Sequence, residues 1–190
     1  KKEKMCVVEG KSVDLGGRRI IKIATVRGFL RMRVRMPGTL GENVADVNRE
    51  FVKDAEDSAQ FMTLVLARID RGDNRINWVR AGHDPAILYD ADTDSFSSLN
   101  DVNGMALGIS QDAVYTGSHC DIKPGQIVFL GTDGIWETKN AQEQMFGKDP
   151  IFEIIRQNSK ARADEIMQAV ISALNRFRGD LTPEDDITLI

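Results

Sequence analysis

The stretch Gln126-Ile127-Val128-Phe129-Leu130-Gly131-Thr132-Asp133-Gly134-Ile135-Trp136-Glu137 decides how the chain is read. Its apolar run, Ile127 to Leu130, is too short for a helix and predicts a strand buried on both faces. Gly131 and Gly134 let the backbone turn sharply where the strand ends. Asp133 is therefore delivered to a sheet edge. Just upstream, Lys123-Pro124-Gly125 is a turn, and Tyr115 to Asp121 predicts another strand. Further back, Ala86–Asp90 and Ser95–Leu99 form a predicted hairpin around residues 91–94. Phe61–Asp70 and Arg75–Ala81 form a second around Arg71-Gly72-Asp73-Asn74. Short strands are also predicted over Met5–Glu9, Arg19–Ile23 and Ile187–Ile190.

Helical periodicity brackets these strands. Ala24–Met36 places Val26, Phe29 and Leu30 on one face, and Pro37-Gly38 stops it. Thr39 with Glu42 is a capping box, so a second helix should run to about Asp54, with Val44, Val47 and Phe51 inward. Asn48 lies on that apolar side, a candidate buried polar contact. Ile151–Asn158 and Ala163–Phe177 supply a later pair. Strands flanked by helix pairs predict an α+β domain of helices packed on antiparallel sheets.

Length and composition suit this reading. The 190 residues are 42% hydrophobic and 28% charged, enough for one domain with a real core. The net charge of -4 argues against a dedicated nucleic-acid binder. Cys6 and Cys120 are too few for a disulfide framework and have no CxxC spacing, so they read as buried thiols. No apolar run reaches the ~20 residues that span a bilayer, and no signal-like segment follows Lys1, so a cytoplasmic location is expected.

A second acidic element, Glu184-Asp185-Asp186-Ile187-Thr188, precedes the last predicted strand. If that strand pairs beside Gln126–Leu130, Asp133 and Asp185 meet at one edge. Adjacent carboxylates repel unless a cation or water screens them. Oxygen donors without Cys or His select a hard cation, Mg²⁺ or Mn²⁺. Each motif also has a plainer explanation, since Asp-Gly is a common turn and Glu-Asp-Asp a common solvated cap.

His83, in Arg80-Ala81-Gly82-His83-Asp84-Pro85, could act as an acid or base but more simply holds a turn by hydrogen bonding. His119, in mid-strand, reads as structural. No Ser-His-Asp or Cys-His arrangement and no phosphate-binding glycine loop is present. The Arg27, Arg31, Arg33, Arg35 series could dock a phosphoprotein or nucleic acid, but most simply solvates a helix face. Trp78 and Trp136 read as core.

Taken in order, the motifs resemble the SpoIIE/RsbU-like branch of the type 2C (PPM) serine/threonine phosphatases. They are Val47-Asn48-Arg49 with Phe51, Phe61-Met62-Thr63-Leu64, Ala81-Gly82-His83-Asp84-Pro85 and Ala106-Leu107-Gly108. Then come Pro124-Gly125-Gln126, Gly131 to Glu137, Phe146-Gly147 and Asp185 to Leu189. The resemblance covers nearly all of residues 11–190. It implies a four-layer αββα sandwich with a binuclear Mn²⁺/Mg²⁺ centre, whose bridging water attacks a phosphoserine or phosphothreonine in line. Asp133 and Asp185 would be metal ligands, with Gly134, Asp186 and His83 in support and no catalytic side chain beyond the metal-activated water. The implied partner is a phosphorylated regulatory protein with a STAS domain, in bacterial signalling. No nucleic-acid or membrane contact is expected, and the flanking helix pairs would suit a homodimer.

The chain also departs from that branch. Gly16-Gly17 is followed by Arg18 where the branch has aspartate. The Gly-Asp-x-x-Gly-x-Gly segment carrying its central bridging aspartate is absent, and Arg19–Ile23 runs straight into Ala24. A strand and a helix need about two to six residues between them. The chain therefore reads as one catalytic domain over residues 1–190, part of a larger regulatory protein. Connecting residues are expected to be missing at 17–18, 23–24 and near 54–55. If the aspartates are truly absent, the rival is a pseudophosphatase that binds a phosphoprotein without hydrolysing it. A third reading is an unrelated α+β ligand-binding module.

Overall fold

A computed structural model describes residues 4–12, 19–55, 61–70 and 72–190. It is a mixed α+β chain with two antiparallel sheets and falls into two compact units.

The first unit comprises residues 1–83 and 100–122. Its sheet is built from β1 (Lys4–Ser12), β2 (Met62–Asp70), β3 (Arg75–Ala81) and β6 (Ser118–Asp121), in the order β1-β2-β3-β6. Every neighbouring pair is antiparallel. Two helices pack on it, α1 (Arg19–Arg33) and α2 (Leu40–Ala55). Val26 and Leu30 of α1 and Val44, Val47 and Phe51 of α2 close over Met62, Leu64 and Leu66 of β2. These three alternate along the strand, while Val65 and Ala67 of the other face are also buried, so β2 is covered on both faces there.

The capping box forms as the sequence predicts. The Glu42 carboxylate accepts from the Thr39 N–H at 2.7 Å, and the Thr39 hydroxyl accepts from the Glu42 N–H at 3.2 Å. Asn48 is completely buried. Its amide donates to the Ser110 carbonyl at 2.8 Å, and its side-chain oxygen accepts from the Gly108 N–H at 2.9 Å. One helical side chain thus fixes the 107–111 loop.

The second unit comprises residues 84–99 and 123–190. Its sheet runs β5-β4-β7, with β4 (Ile87–Asp90), β5 (Ser95–Ser98) and β7 (Ile127–Phe129). A single helical turn, α3 (Asp133–Trp136), follows β7, and α4 (Asp149–Gln157) and α5 (Ala163–Arg178) complete the unit. Ile87, Tyr89 and Phe129 from the sheet pack with Ile135, with Ile151 and Ile155 of α4, and with Ile166, Val170 and Leu174 of α5. No helix among the described residues is long and apolar enough to cross a membrane.

Four expectations change. Arg19–Ile23 is not a strand but the first part of α1, which runs unbroken through Ile23 and Ala24. The steric reason for a break at 23–24 therefore disappears, and α2 likewise runs through Asp54 and Ala55; position 17–18 and the residues that follow α2, 56–60, lie outside the described residues. The Tyr115–Asp121 strand contracts to β6, because Tyr115 is taken up beneath α2. Ile127 and Val128 are only half-buried, because β7 has a strand partner on one side alone. The last segment is no regular strand; it makes an isolated bridge, Gly131 to Leu189, just past β7.

Candidate metal centre

Asp133 opens α3, directly after the bridge that joins Gly131 to Leu189. The last segment clamps onto the stretch that follows β7 there. Leu130 and Ile190 exchange both backbone hydrogen bonds, at 3.0 and 2.9 Å, and the Thr132 N–H donates to the Thr188 carbonyl at 3.0 Å. The Thr132 side chain, 3% exposed, completes the clasp. Its hydroxyl donates to the Asp186 carbonyl at 3.0 Å and accepts from the Thr188 N–H at 3.0 Å.

Gly134 makes the approach sterically feasible. A Cβ at this position would lie 2.6 Å from the Asp186 carbonyl oxygen and 3.6 Å from the Asp185 carbonyl carbon. Only a residue without a side chain allows backbones this close. Asp133 and Asp185 therefore sit on neighbouring turns of one unit. Each carboxylate also caps the next residue: Asp133 Oδ1 accepts from the Gly134 N–H at 3.1 Å, and Asp185 Oδ1 from the Asp186 N–H at 2.7 Å. Thr138 anchors the turn, its hydroxyl donating to the Gly134 carbonyl at 2.5 Å, and the completely buried Ile135 roots it in the core.

The donor chemistry suits one hard cation. Mg²⁺ is commonly held by one or two carboxylates, with water and a substrate phosphate filling the other positions. It does not supply a second ion: among the described residues no three His, Cys, Asp or Glu side chains gather as a metal group.

His83 belongs to the first unit and is 5% exposed. Its turn is held through its backbone carbonyl, which accepts from Arg80 Nε at 3.0 Å. His119 lies within β6, as its mid-strand reading has it, and is exposed. Trp78 is core, at 2% exposure, whereas Trp136 is half-buried with Lys148 Nζ 4.3 Å above its ring. The same ammonium pairs with Asp84 at 3.0 Å. That pairing ties residue 148 to the 84–85 turn across 64 positions, and no local pattern announces it. The Thr132 clasp, also missed, has a faint signal: a hydroxyl between glycine and aspartate at the end of an apolar strand.

Known proteins are similar to this chain in sequence and in fold. Over 139 residues the chain is 25% identical to the phosphoserine phosphatase RsbU of Bacillus subtilis, covering 73% of this chain and 41% of RsbU. The RsbU and RsbW domains of Rv1364c from Mycobacterium tuberculosis superpose with a TM-score of 0.79 at 22% identity, over 98% of this chain and 50% of that one. The PP2C phosphatase domain of SpoIIE from Bacillus subtilis, solved with a fragment of its regulatory domain, gives 0.72 at 17% identity, over 98% and 53%. The chain thus spans half or less of the first two. The two antiparallel sheets with their helices are the PP2C fold. The family model described as Stage II sporulation protein E (SpoIIE) matches residues 4–190, and the chain belongs to that family.

Proposed function

We propose that this chain is the phosphatase domain of a larger cytoplasmic regulatory protein and hydrolyses phosphoserine or phosphothreonine on a protein partner. A STAS-domain regulator is the partner class that the family resemblance implies. The observation that carries the reading is the Thr132 clasp, which sets Asp133 and Asp185 on touching turns. Carboxylates on adjoining turns repel where they converge, unless a cation or water screens them. Asp133 and Asp185 would hold Mg²⁺ or Mn²⁺, which when bound supplies Lewis acidity toward a phosphoryl oxygen and hydroxide near neutral pH. The protein's own part is to fix both donors: Thr132 locks the 185–188 segment, and Gly134 gives it room. Asp186 contributes its carbonyl to the clasp.

The test is Mn²⁺-dependent release of phosphate from a phosphoserine protein. Asp133→Ala should abolish turnover while leaving the fold largely intact, because it removes a ligand and no core packing. Near-normal turnover by that variant at saturating Mn²⁺ would overturn the assignment.

A second reading, a pseudophosphatase that binds a phosphoprotein without cleaving it, has its own support. No third acidic group joins Asp133 and Asp185 among the described residues, and the Gly-Asp-x-x-Gly-x-Gly segment is absent from the sequence. Binding of the phosphoprotein with no turnover at any Mn²⁺ concentration would select it.

A further inference from the structure

The arginine series has no role in the clasp, yet its placement is regular. Arg27-Gly28, Arg31-Met32 and Arg35-Met36 recur every four residues along α1 and the turn after it, and all six residues are exposed. Val26 and Leu30, at 0% and 1% exposure, fix the opposite side of the helix in the core, so the outward face is settled. Arg27 and Arg31 thus form one row along α1 and Gly28 and Met32 the row beside it, and Arg35 and Met36 follow in the turn after the helix. The two methionines are 67% and 60% exposed.

Three features set this face apart from an ordinary solvated one. No acidic residue occurs between Arg19 and Met36, so the helix cannot neutralise itself with i,i+4 pairs. Arg33, on a different side, is paired with Asp46 of α2, whereas Arg31 and Arg35 enter no ion pair among the described residues. Gly28 is a mid-helix glycine with nothing within 4 Å of where a Cβ would stand. Packing inside the chain does not require it, and it costs the helix about 1 kcal/mol against alanine. It does leave bare backbone for a close neighbour.

We propose that this face docks an acidic amphipathic helix of a partner protein. Carboxylates at every fourth position would meet the arginines in charge-assisted pairs. Aliphatic side chains beside them would pack on Met32 and Met36, whose flexible thioethers adapt to varied surfaces. The length and charge favour a short protein segment over a polyanion. From Arg27 to Arg35 the stripe spans only about 12 Å at ~1.5 Å per residue. The net charge of the chain is -4, so beyond the stripe the protein gives an extended polyanion no net attraction. A phosphate backbone would also leave the methionines unused. The proposal does not depend on the chemistry at Asp133 and Asp185.

The experiment is fluorescence anisotropy of the 190-residue chain with a labelled 18-residue peptide carrying glutamate at every fourth position and leucine beside it. Saturable binding is expected at low salt, weakening as salt rises. The double variant Arg31→Glu/Arg35→Glu should lose at least tenfold in affinity, and Met32→Ser/Met36→Ser about threefold or more. Arg162→Glu, at an exposed site far along the sequence, should change nothing. Circular dichroism checks folding, and Arg31→Gln/Arg35→Gln replaces the reversal if that variant unfolds. Absence of saturable binding overturns the proposal, as does binding indifferent to both double variants. Tighter, equally Arg31/Arg35-dependent binding of a 20-nucleotide oligo-dT or of phosphatidylserine vesicles also overturns it, in favour of a nucleic acid or a membrane.

Discussion

The Thr132 hydroxyl donates to the Asp186 carbonyl at 3.0 Å, and by that contact the turn bearing Asp133 and the segment bearing Asp185 become one structure. The same oxygen accepts from the Thr188 N–H, so a single side chain satisfies two backbone groups of the last segment. Thr132→Val keeps the shape and removes the hydroxyl, orphaning both. The loss should be about 1–3 kcal/mol of stability. If Asp133 and Asp185 hold a cation, the variant should also lose most of the melting-temperature rise given by Mn²⁺, while Thr132→Ser retains it. Thermal unfolding with and without millimolar Mn²⁺ measures both effects. An unchanged Mn²⁺ response in Thr132→Val would separate the clasp from metal binding.

Gly134→Ala tests the same junction by steric means. The added methyl would stand 2.6 Å from the Asp186 carbonyl oxygen, which is backbone and cannot swing aside. The 185–186 turn must shift, at a cost of about 1–3 kcal/mol typical of overpacking. Denaturant titration should register that loss, and Gly147→Ala, where nothing lies within 4 Å, is the control for an uncrowded glycine. Gly147 has a φ of 76°, so its own cost comes from the backbone and not from a clash.

Asn48→Ala addresses the first unit alone. It removes the partner of both the Gly108 N–H and the Ser110 carbonyl from a fully buried position. Two orphaned groups amount to about 2–4 kcal/mol, a fall of roughly 5–15 °C in Tm for a chain of this size. A drop under 1 °C would mean that water replaces the amide.

Where a local signal was also the decisive one, the sequence was sufficient. Thr39 and Glu42 cap α2, and Asn48 sits buried on its apolar side. Arg19–Ile23 misled because Ile20, Ile21 and Ile23 favour strands locally, while the helix that begins at Arg19 overrides that preference. The approach of Asp185 to Asp133 was foreseen only as a consequence of strand pairing. What realises it is one bridge and a threonine hydroxyl, neither of which has a periodicity to detect. The Lys148–Asp84 pair is a long-range contact between exposed residues, and single-sequence patterns carry no trace of such contacts.

Tyr115 makes a prediction at alkaline pH. It is 5% exposed, its hydroxyl finds no partner among the described residues, and burial pushes its pKa up to about 12. An unfolded tyrosine titrates near 10. Below about pH 10 both states keep the proton, and this group leaves stability independent of pH. Between about 10 and 12 the unfolded chain ionises while the folded one does not, so stability falls as pH rises, by up to about 1.4 kcal/mol per pH unit. Tyr115→Phe removes that slope and a buried hydroxyl without a partner. Its stability at pH 7 should match or exceed the parent's, and its alkaline unfolding midpoint should move upward. Tyr89, also raised chiefly by burial, is common to both proteins, so the difference between their pH profiles reports Tyr115 alone. Parallel profiles from pH 8 to 12 would mean that the Tyr115 hydroxyl meets water in the folded state.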